Sequence, residues 1–130
     1  MTARATAEEK RILVVDDEPN IVMSLEFLLR KAGFQVETAR NGREALDALE
    51  REPPDLLLLD VMMPEFDGYA VCERIRQDRR WDRTRIVMLT ARGREAERAR
   101  GLALGADEYV SKPFSTRVLV EQVRALLGVA

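Results

Sequence analysis

The sequence contains no histidine, and this absence narrows the chemistry that the chain can perform. A histidine base, a histidine-bound metal and a phosphohistidine formed on this chain are all excluded. Any phosphohistidine must come from another molecule. There is also a single cysteine, Cys72, which cannot form a disulfide within the chain and favours a reducing compartment, the cytoplasm.

Long hydrophobic runs and a strong net charge are missing as well. No apolar run approaches the roughly 20 residues of a membrane helix, and residues 1–10 lack the apolar segment of a secretory signal. The 21 basic and 23 acidic residues give a net charge of −2, so bulk charge does not favour nucleic acid. A chain of 130 residues is the length of one domain. We expect a flexible tail at 1–10 and one domain at 11–128. We also expect that this domain binds neither a membrane nor nucleic acid.

The rest of the chain alternates between two hydrophobic patterns. Short apolar runs predict strands at 11–17, 34–39, 55–60, 85–91 and 106–111. Apolar residues at helical spacing predict helices at 19–33, around 45–49, at 68–76, at 96–105 and through 119–127. This alternation predicts βαβ units, and so an α/β fold with a parallel sheet covered by helices on both faces.

Strand composition also predicts the order of the strands in the sheet. The first, third and fourth strands are continuous apolar runs, as central strands are. The second alternates, and the fifth contains Asp107 and Glu108, as edge strands do. Right-handed crossovers then favour the order 2-1-3-4-5 of a doubly wound, flavodoxin-like (βα)5 fold. Ligands of such sheets bind where the strand order reverses, beyond the carboxyl ends of strands 1 and 3.

Polar residues follow the strands at this edge. Asp16 and Asp17 end the first strand, Asp60 ends the run "LLLLD", Thr90 ends the fourth strand and Lys112 follows the fifth. Crowded carboxylates repel one another unless a cation joins them, and their oxygens suit Mg²⁺, which is usually shared with a phosphate. A carboxylate nucleophile beside a metal and an ammonium group is an arrangement for phosphoryl transfer.

Each of these residues also has a simpler explanation when it is taken alone. An acidic pair before a helix is commonly an N-terminal cap. Thr90 can be an ordinary strand-end residue, Lys112 a solvated charge and Tyr109 edge-strand packing. The hypothesis of a phosphoryl-transfer site depends on the fold bringing all of them to one edge of the sheet.

Four motifs resemble those of a known family. They are "VVDD" (14–17), "LLLLDVMMPEFDG" (56–68), "MLTA" (88–91) and "GADEYVSKPF" (105–114). In residues and spacing they resemble the response-regulator receiver domain of two-component signalling, and the chain is similar to the chemotaxis-type single-domain regulators. The resemblance covers residues 11 to about 127.

The resemblance implies specific roles at the acidic edge. Asp60 would be the phospho-acceptor and a metal ligand. Asp17 would bind Mg²⁺ directly, Asp16 would act through water, and the backbone carbonyl of Met62 would be a further ligand.

The resemblance also implies roles around the phosphoryl group. Thr90 and Lys112 would contact it, and Thr90 and Tyr109 would form the switch. The Lys112–Pro113 peptide would be cis. Such a domain is a signalling switch, not an enzyme with a separate substrate, although it catalyses its own phosphorylation and its own slow dephosphorylation.

The partners follow from the same resemblance. A histidine kinase or a histidine phosphotransfer protein would donate the phosphoryl group. Output would pass to an unknown downstream protein, or to a second copy of the chain in a phosphorylation-dependent homodimer.

We expect the docking face on the fourth helix, fifth strand and fifth helix, with Arg94, Arg98 and Arg100 on one side and the stripe Val118, Gln122 and Ala125 on the other. Because the sequence stops after the fifth helix, we expect a stand-alone regulator.

Three other classes share features with this sequence. A phosphatase with an aspartyl nucleophile usually carries a second Asp two residues further on, where this chain has Met62. A flavodoxin-like cofactor binder would need a loop rich in Ser, Thr or Gly after the first strand, where "DDEPN" is acidic. A non-catalytic pseudo-receiver would lack one of the key residues, and all of them are present.

Overall fold

The computed structural model describes residues 6–63, 66–90, 98–112 and 114–129. The strands are β1 (Arg11–Val15), β2 (Gln35–Ala39), β3 (Leu56–Asp60), β4 (Arg85–Thr90) and β5 (Glu108–Ser111). The helices are α1 (Pro19–Lys31), α2 (Gly42–Arg51), α3 (Gly68–Arg76), α4 (Arg98–Ala103) and α5 (Thr116–Leu127). All strand pairs are parallel and the order is β2-β1-β3-β4-β5, which confirms the predicted sheet. Within the described ranges no helix is long and apolar enough to cross a membrane.

The central strand β3 is buried along its whole length and separates two apolar layers. Leu57 and Leu59 face a layer formed with α2 and α3, whereas Leu56 and Leu58 face the layer of α1 and α5. Side chains alternate along a strand, so a strand covered on both faces must be apolar at every position. This requirement explains the four consecutive leucines.

The register of the ladders sets the level at which each strand ends. Leu59 pairs with Val15 on one side and with Met88 on the other. The residues that follow Val15 and Leu59 therefore leave the sheet side by side. The acids at the ends of β1 and β3 are adjacent for this reason.

Local signals fix the ends of the helices. Pro19 is the first residue of α1, and Gly33 follows this helix with a φ of 102°, in the left-handed region that glycine tolerates. Asn41 caps α2 by accepting a hydrogen bond from Glu44 N at 2.8 Å, and Asp67 caps α3 in the same way. These caps satisfy N–H groups that have no partner inside a helix.

Two strand ends differ by two residues from the sequence-based prediction. β1 ends at Val15 rather than at 17, because Asp16 turns its carboxylate back to accept a hydrogen bond from Glu18 N. β5 begins at Glu108 rather than at 106, because Asp107 accepts from Ile86 N at 2.8 Å and so joins the connection to the start of β4. Both differences arise from aspartate side chains that bond to nearby backbone.

The segment before β1 contains a short 3-10 helix, Ala7–Glu9. Gln35 Nε2 donates a hydrogen bond to the carbonyl of Glu8 at 2.7 Å. The part of the predicted tail that the structure describes therefore contacts the first residue of β2.

Candidate functional site

Three carboxylates meet beyond the carboxyl ends of β1 and β3. One oxygen from each of Asp16, Asp17 and Asp60 lies within 4.8 Å of the others. Asp16 and Asp60 are buried, at 1% and 5% exposure, while Asp17 is exposed. The fold thus brings together the acids that the sequence pattern singled out, with one open to solvent.

Lys112 supplies a positive charge to this cluster. Its Nζ lies 3.1 Å from Asp16 Oδ2 and 3.4 Å from Asp60 Oδ1. Its backbone N–H donates to the carbonyl of Thr90 at 2.7 Å, which fixes the chain after β5 against the end of β4. Burial opposes the charge on the ammonium, but the carboxylates of Asp60 and Asp16 outweigh it and raise the pKa of Lys112. The lysine therefore stays protonated at neutral pH.

The surroundings of Asp60 raise the pKa of its carboxyl group. Burial and the negative charge of Asp16 raise the pKa of Asp60 to about 6, although Lys112 acts in the opposite direction. The Met62 N–H also donates to Asp60 Oδ1, at 3.4 Å. Excess negative charge thus remains beside Asp60, and an added cation would relieve it.

Thr90 is wholly buried at the end of β4. Among the described residues its Oγ1 has no hydrogen-bond partner. A buried hydroxyl without a partner is unfavourable, and at a functional site it is a donor held ready for a ligand. That this hydroxyl contacts a phosphoryl group, as the resemblance implies, stays a prediction.

The loop after β3 contains a requirement that the sequence analysis did not recognise. A Cβ on Gly68 would overlap the carbonyl oxygen of Asp60, and the Gly68 N–H donates to Val61 O at 3.0 Å. The start of α3 therefore packs directly on the backbone of Asp60. Sequence spacing does not reveal such a contact.

Met62 and Tyr109 differ in how far they are buried. The Met62 side chain is 54% exposed, so it adds nothing to the buried part of the site. Tyr109 is buried in the layer of α2 and α3, with its hydroxyl 3.2 Å from that of Tyr69. A role for Tyr109 was predicted from the resemblance, whereas none was predicted for Tyr69.

The acidic cluster has the donor set for a hard divalent cation. Both oxygens of Asp16 are engaged, Oδ1 by Glu18 N and Oδ2 by Lys112. Among the described residues, the Asp17 carboxylate and Asp60 Oδ2 accept no hydrogen bond, which leaves them available to a metal. Oxygen donors of this kind fit Mg²⁺, which keeps several of its waters. The direct role predicted for Asp17 and Asp60 and the water-mediated role predicted for Asp16 stay predictions.

Two predictions fall on residues outside the described part of the chain. These are the cis peptide before Pro113 and the position of Arg94 on the docking face. They stay predictions.

Comparison with known proteins identifies the family of this chain. The profile of the response regulator receiver domain matches residues 12–124, and the chain belongs to that family, whose members are signalling switches. It is 48% identical over 118 residues to the alkaline phosphatase synthesis transcriptional regulatory protein PhoP of Bacillus subtilis, covering 91% of this chain and 48% of that protein. It is 49% identical over 117 residues to the phosphate regulon transcriptional regulatory protein PhoB of Rhizobium meliloti, covering 90% and 52%.

A solved structure of a chemotaxis protein has the same fold as this chain. The chemotaxis protein CheY4 of Vibrio cholerae superposes with a TM-score of 0.85 at 32% identity, covering 95% of this chain and 100% of that one. The chain spans about half the length of the curated relatives named above.

Proposed function

We propose that Asp60 accepts a phosphoryl group from a phosphohistidine on a partner protein, with Mg²⁺ bound at Asp17 and Asp60. The observation that supports this most is the position of Asp60. It lies at the switch point of the sheet, with Lys112 3.4 Å from one oxygen and the Asp17 carboxylate within the same cluster. The chain has no histidine, so the donor is a histidine kinase or a histidine phosphotransfer protein.

The transfer is a displacement at phosphorus. A carboxylate oxygen of Asp60 forms a bond to phosphorus as the phosphorus–nitrogen bond of the donor breaks, and the imidazole leaves with the electron pair and takes up a proton. Bound Mg²⁺ would supply charge neutralisation at the phosphoryl oxygens. Lys112 contributes a fixed positive charge, and the Thr90 hydroxyl donates to an oxygen of the new acyl phosphate. Attack by water later removes the group.

An exposed apolar pair marks where the donor would dock. Met23 and Phe27, four residues apart on α1, are 64% and 70% exposed. Residues at this spacing share one helix face, and α1 begins two residues after Asp17. A donor helix packed on this face would place its phosphohistidine near Asp60, and buried apolar contact would hold it there.

Output would leave through α4, β5 and α5. Val118 is 41% exposed and Ala125 is exposed on α5, which supports an apolar contact from these two residues of the predicted stripe. Arg98 pairs with Glu108 at 3.1 Å, so its charge is already engaged on the surface. The face therefore offers apolar contact from α5 and a paired charge from α4 to a downstream protein or a second copy of the chain.

The test is phosphorylation of the protein by a phosphorylated histidine kinase or by acetyl phosphate. The wild type should acquire one phosphate, only with Mg²⁺, and this phosphate should be stable to acid and labile to base and hydroxylamine. Asp60→Asn keeps the side-chain shape but removes the nucleophile, so labelling should vanish. Asp67→Asn is the matched control, because Asp67 lies in the same loop but caps α3. Equal labelling of wild type and Asp60→Asn would overturn the proposal.

A further inference from the structure

The aromatic ring of Phe66 lies between the β3–α3 loop (residues 61–67) and the start of α2. Phe66 is half-buried and packs against the apolar layer of α2 and α3. A Cβ on Gly42, the first residue of α2, would lie 2.6 Å from Cδ1 of this ring, so the ring packs directly on the glycine backbone. Phe66 thus joins the β3–α3 loop to α2.

The surface on which the ring rests is itself held in place. Asn41 Oδ1 accepts a hydrogen bond from Glu44 N at 2.8 Å, and Arg40 N donates to Glu44 Oε1 at 3.0 Å. These two bonds fix the backbone on both sides of Gly42, as a helix cap does. The contact with the ring therefore ties the loop to a rigid part of the fold.

The same loop contacts the carboxylate of Asp60. The Met62 N–H donates to Asp60 Oδ1 at 3.4 Å. The Gly68 N–H donates to Val61 O at 3.0 Å and so joins the two ends of the loop. Because the loop is short and closed, a shift of the loop relative to α2 also shifts the Met62 N–H relative to the carboxylate.

We propose that Phe66 is a positioning residue for phosphorylation, because its ring on α2 holds the loop where the Met62 N–H meets the Asp60 carboxylate. The proposal rests on the function given above. Without the ring, the bond between Gly68 and Val61 still closes the loop, but the loop loses its contact with α2. The carboxylate then loses part of its fixed orientation toward the donor, and misplacement of a reacting group by about 1 Å can cost about 100-fold in rate.

Three variants separate positioning from simple packing. Phe66→Ala removes the ring, whereas Phe66→Leu keeps an apolar side chain against Gly42. Leu104→Ala is the matched control, because Leu104 is also half-buried against the same apolar layer but follows α4. The rate of phosphorylation by acetyl phosphate is measured on the folded proteins at saturating Mg²⁺. Phe66→Ala should be about tenfold slower than wild type, and the other two should stay within about twofold of it.

A second readout needs no phosphorylation. The order parameter of the Met62 N–H, from ¹⁵N relaxation, should fall in Phe66→Ala from about 0.85, the value of rigid backbone, toward about 0.6. The Gly68 N–H is bonded to Val61 O and should keep its value. Lower values at both positions would indicate a general loosening and would overturn the proposal.

The proposal would also be overturned by an unimpaired rate or an unchanged Met62 order parameter in Phe66→Ala, or by an equal slowing in Leu104→Ala. If the wild type accepts no phosphate, the proposed function fails. The Met62 order parameter then still tests whether Phe66 holds the loop.

Discussion

The sequence predicted those residues of the site that lie at the end of a strand. It did not predict those whose place in the site depends on packing between a helix and the sheet. Asp16, Asp60 and Thr90 are strand-end residues, so topology alone brought them together. Gly68 and Tyr69 act through contacts between α3 and the sheet, and their spacing in the sequence is that of any helix start. The helix-cap interpretation of the acidic pair is wrong, because no side chain caps the start of α1. Asp16 instead accepts hydrogen bonds from Glu18 N, which precedes the helix, and from Lys112.

Gly68 should be indispensable for the placement of the acceptor. Gly68→Ala forces a methyl group against the carbonyl of Asp60, so we expect a loss of about 1–3 kcal/mol of stability and slower phosphorylation of the folded protein. Gly128→Ala is the comparison, because nothing lies within 4 Å of the Cβ added there. Its φ of 65° strains an alanine and costs some stability, but its labelling rate should equal that of the wild type. Denaturant unfolding and labelling rates measure both. An unimpaired labelling rate in Gly68→Ala would show that the contact does not position Asp60.

The raised pKa of Asp60 predicts a pH-dependent penalty in metal-free protein. A carboxyl whose pKa rises from 3.8 to about 6 on folding holds its proton more tightly when folded. Its favourable contribution is therefore present below pH ~4 and is lost as the pH rises through about 6. Solvent screening reduces the effect, so we expect Asp60→Asn to be more stable than wild type by roughly 1–2 kcal/mol at neutral pH in a chelator.

Unfolding curves of both proteins from about pH 4 to pH 7 measure this difference. It should grow over that range and shrink when Mg²⁺ is added. A difference that does not change with pH would contradict the burial of an ionised carboxylate at Asp60.

The predicted alternation of strands and helices is confirmed. The boundaries of some elements were not predicted, because they depend on hydrogen bonds between side chains and the backbone. The helix α3 matches its predicted range, since Asp67 caps its start. β5 was predicted two residues too early, because its acids suggested only an edge strand and not the bond from Asp107 to the start of β4. Sequence periodicity identifies what faces the core, but it does not identify such cross-element bonds.

The C-terminal end of α3 is held by one arginine. Arg76 donates to the carbonyls of Gly105, Trp81 and Thr84 at 2.9, 3.1 and 2.7 Å, and pairs with Asp107 at 3.1 Å. Arg76→Lys cannot make these bonds together, so we expect a loss of about 2–4 kcal/mol of stability, since several half-buried acceptors lose their donor.

Arg74→Lys is the control for this element, because Arg74 is exposed on the same helix turn. It should change stability by less than about 0.5 kcal/mol. Thermal unfolding of both variants measures the difference. Similar losses in the two variants would indicate a general effect of arginine on α3 rather than the specific anchor.

For the whole molecule, the predicted topology and the convergence of the acids at the switch point follow from patterns that a sequence carries, namely apolar runs, crossovers and polar residues at strand ends. The packing of α4 on the Tyr109 ring does not, because it depends on the absence of a side chain at Gly101.

Mg²⁺ should stabilise the folded chain as a whole. A cation that binds the assembled carboxylates but not the unfolded chain adds about 2.7 kcal/mol at a hundred times its Kd. The melting temperature should therefore rise with Mg²⁺ concentration in the wild type. In Asp17→Ala the rise should be much smaller, while the metal-free form is as stable as wild type or more so, since repulsion is relieved. A melting temperature indifferent to Mg²⁺ in the wild type would argue against the metal site.

The central claim is that this receiver domain carries its phosphoryl group on Asp60. The most direct measurement treats the protein with acetyl phosphate and Mg²⁺, reduces the acyl phosphate with borohydride and locates the resulting homoserine by peptide mass mapping. Our account predicts homoserine at position 60 alone, and none when Mg²⁺ is withheld. Homoserine at Asp16, Asp17 or another acidic residue, or at no residue, would contradict it.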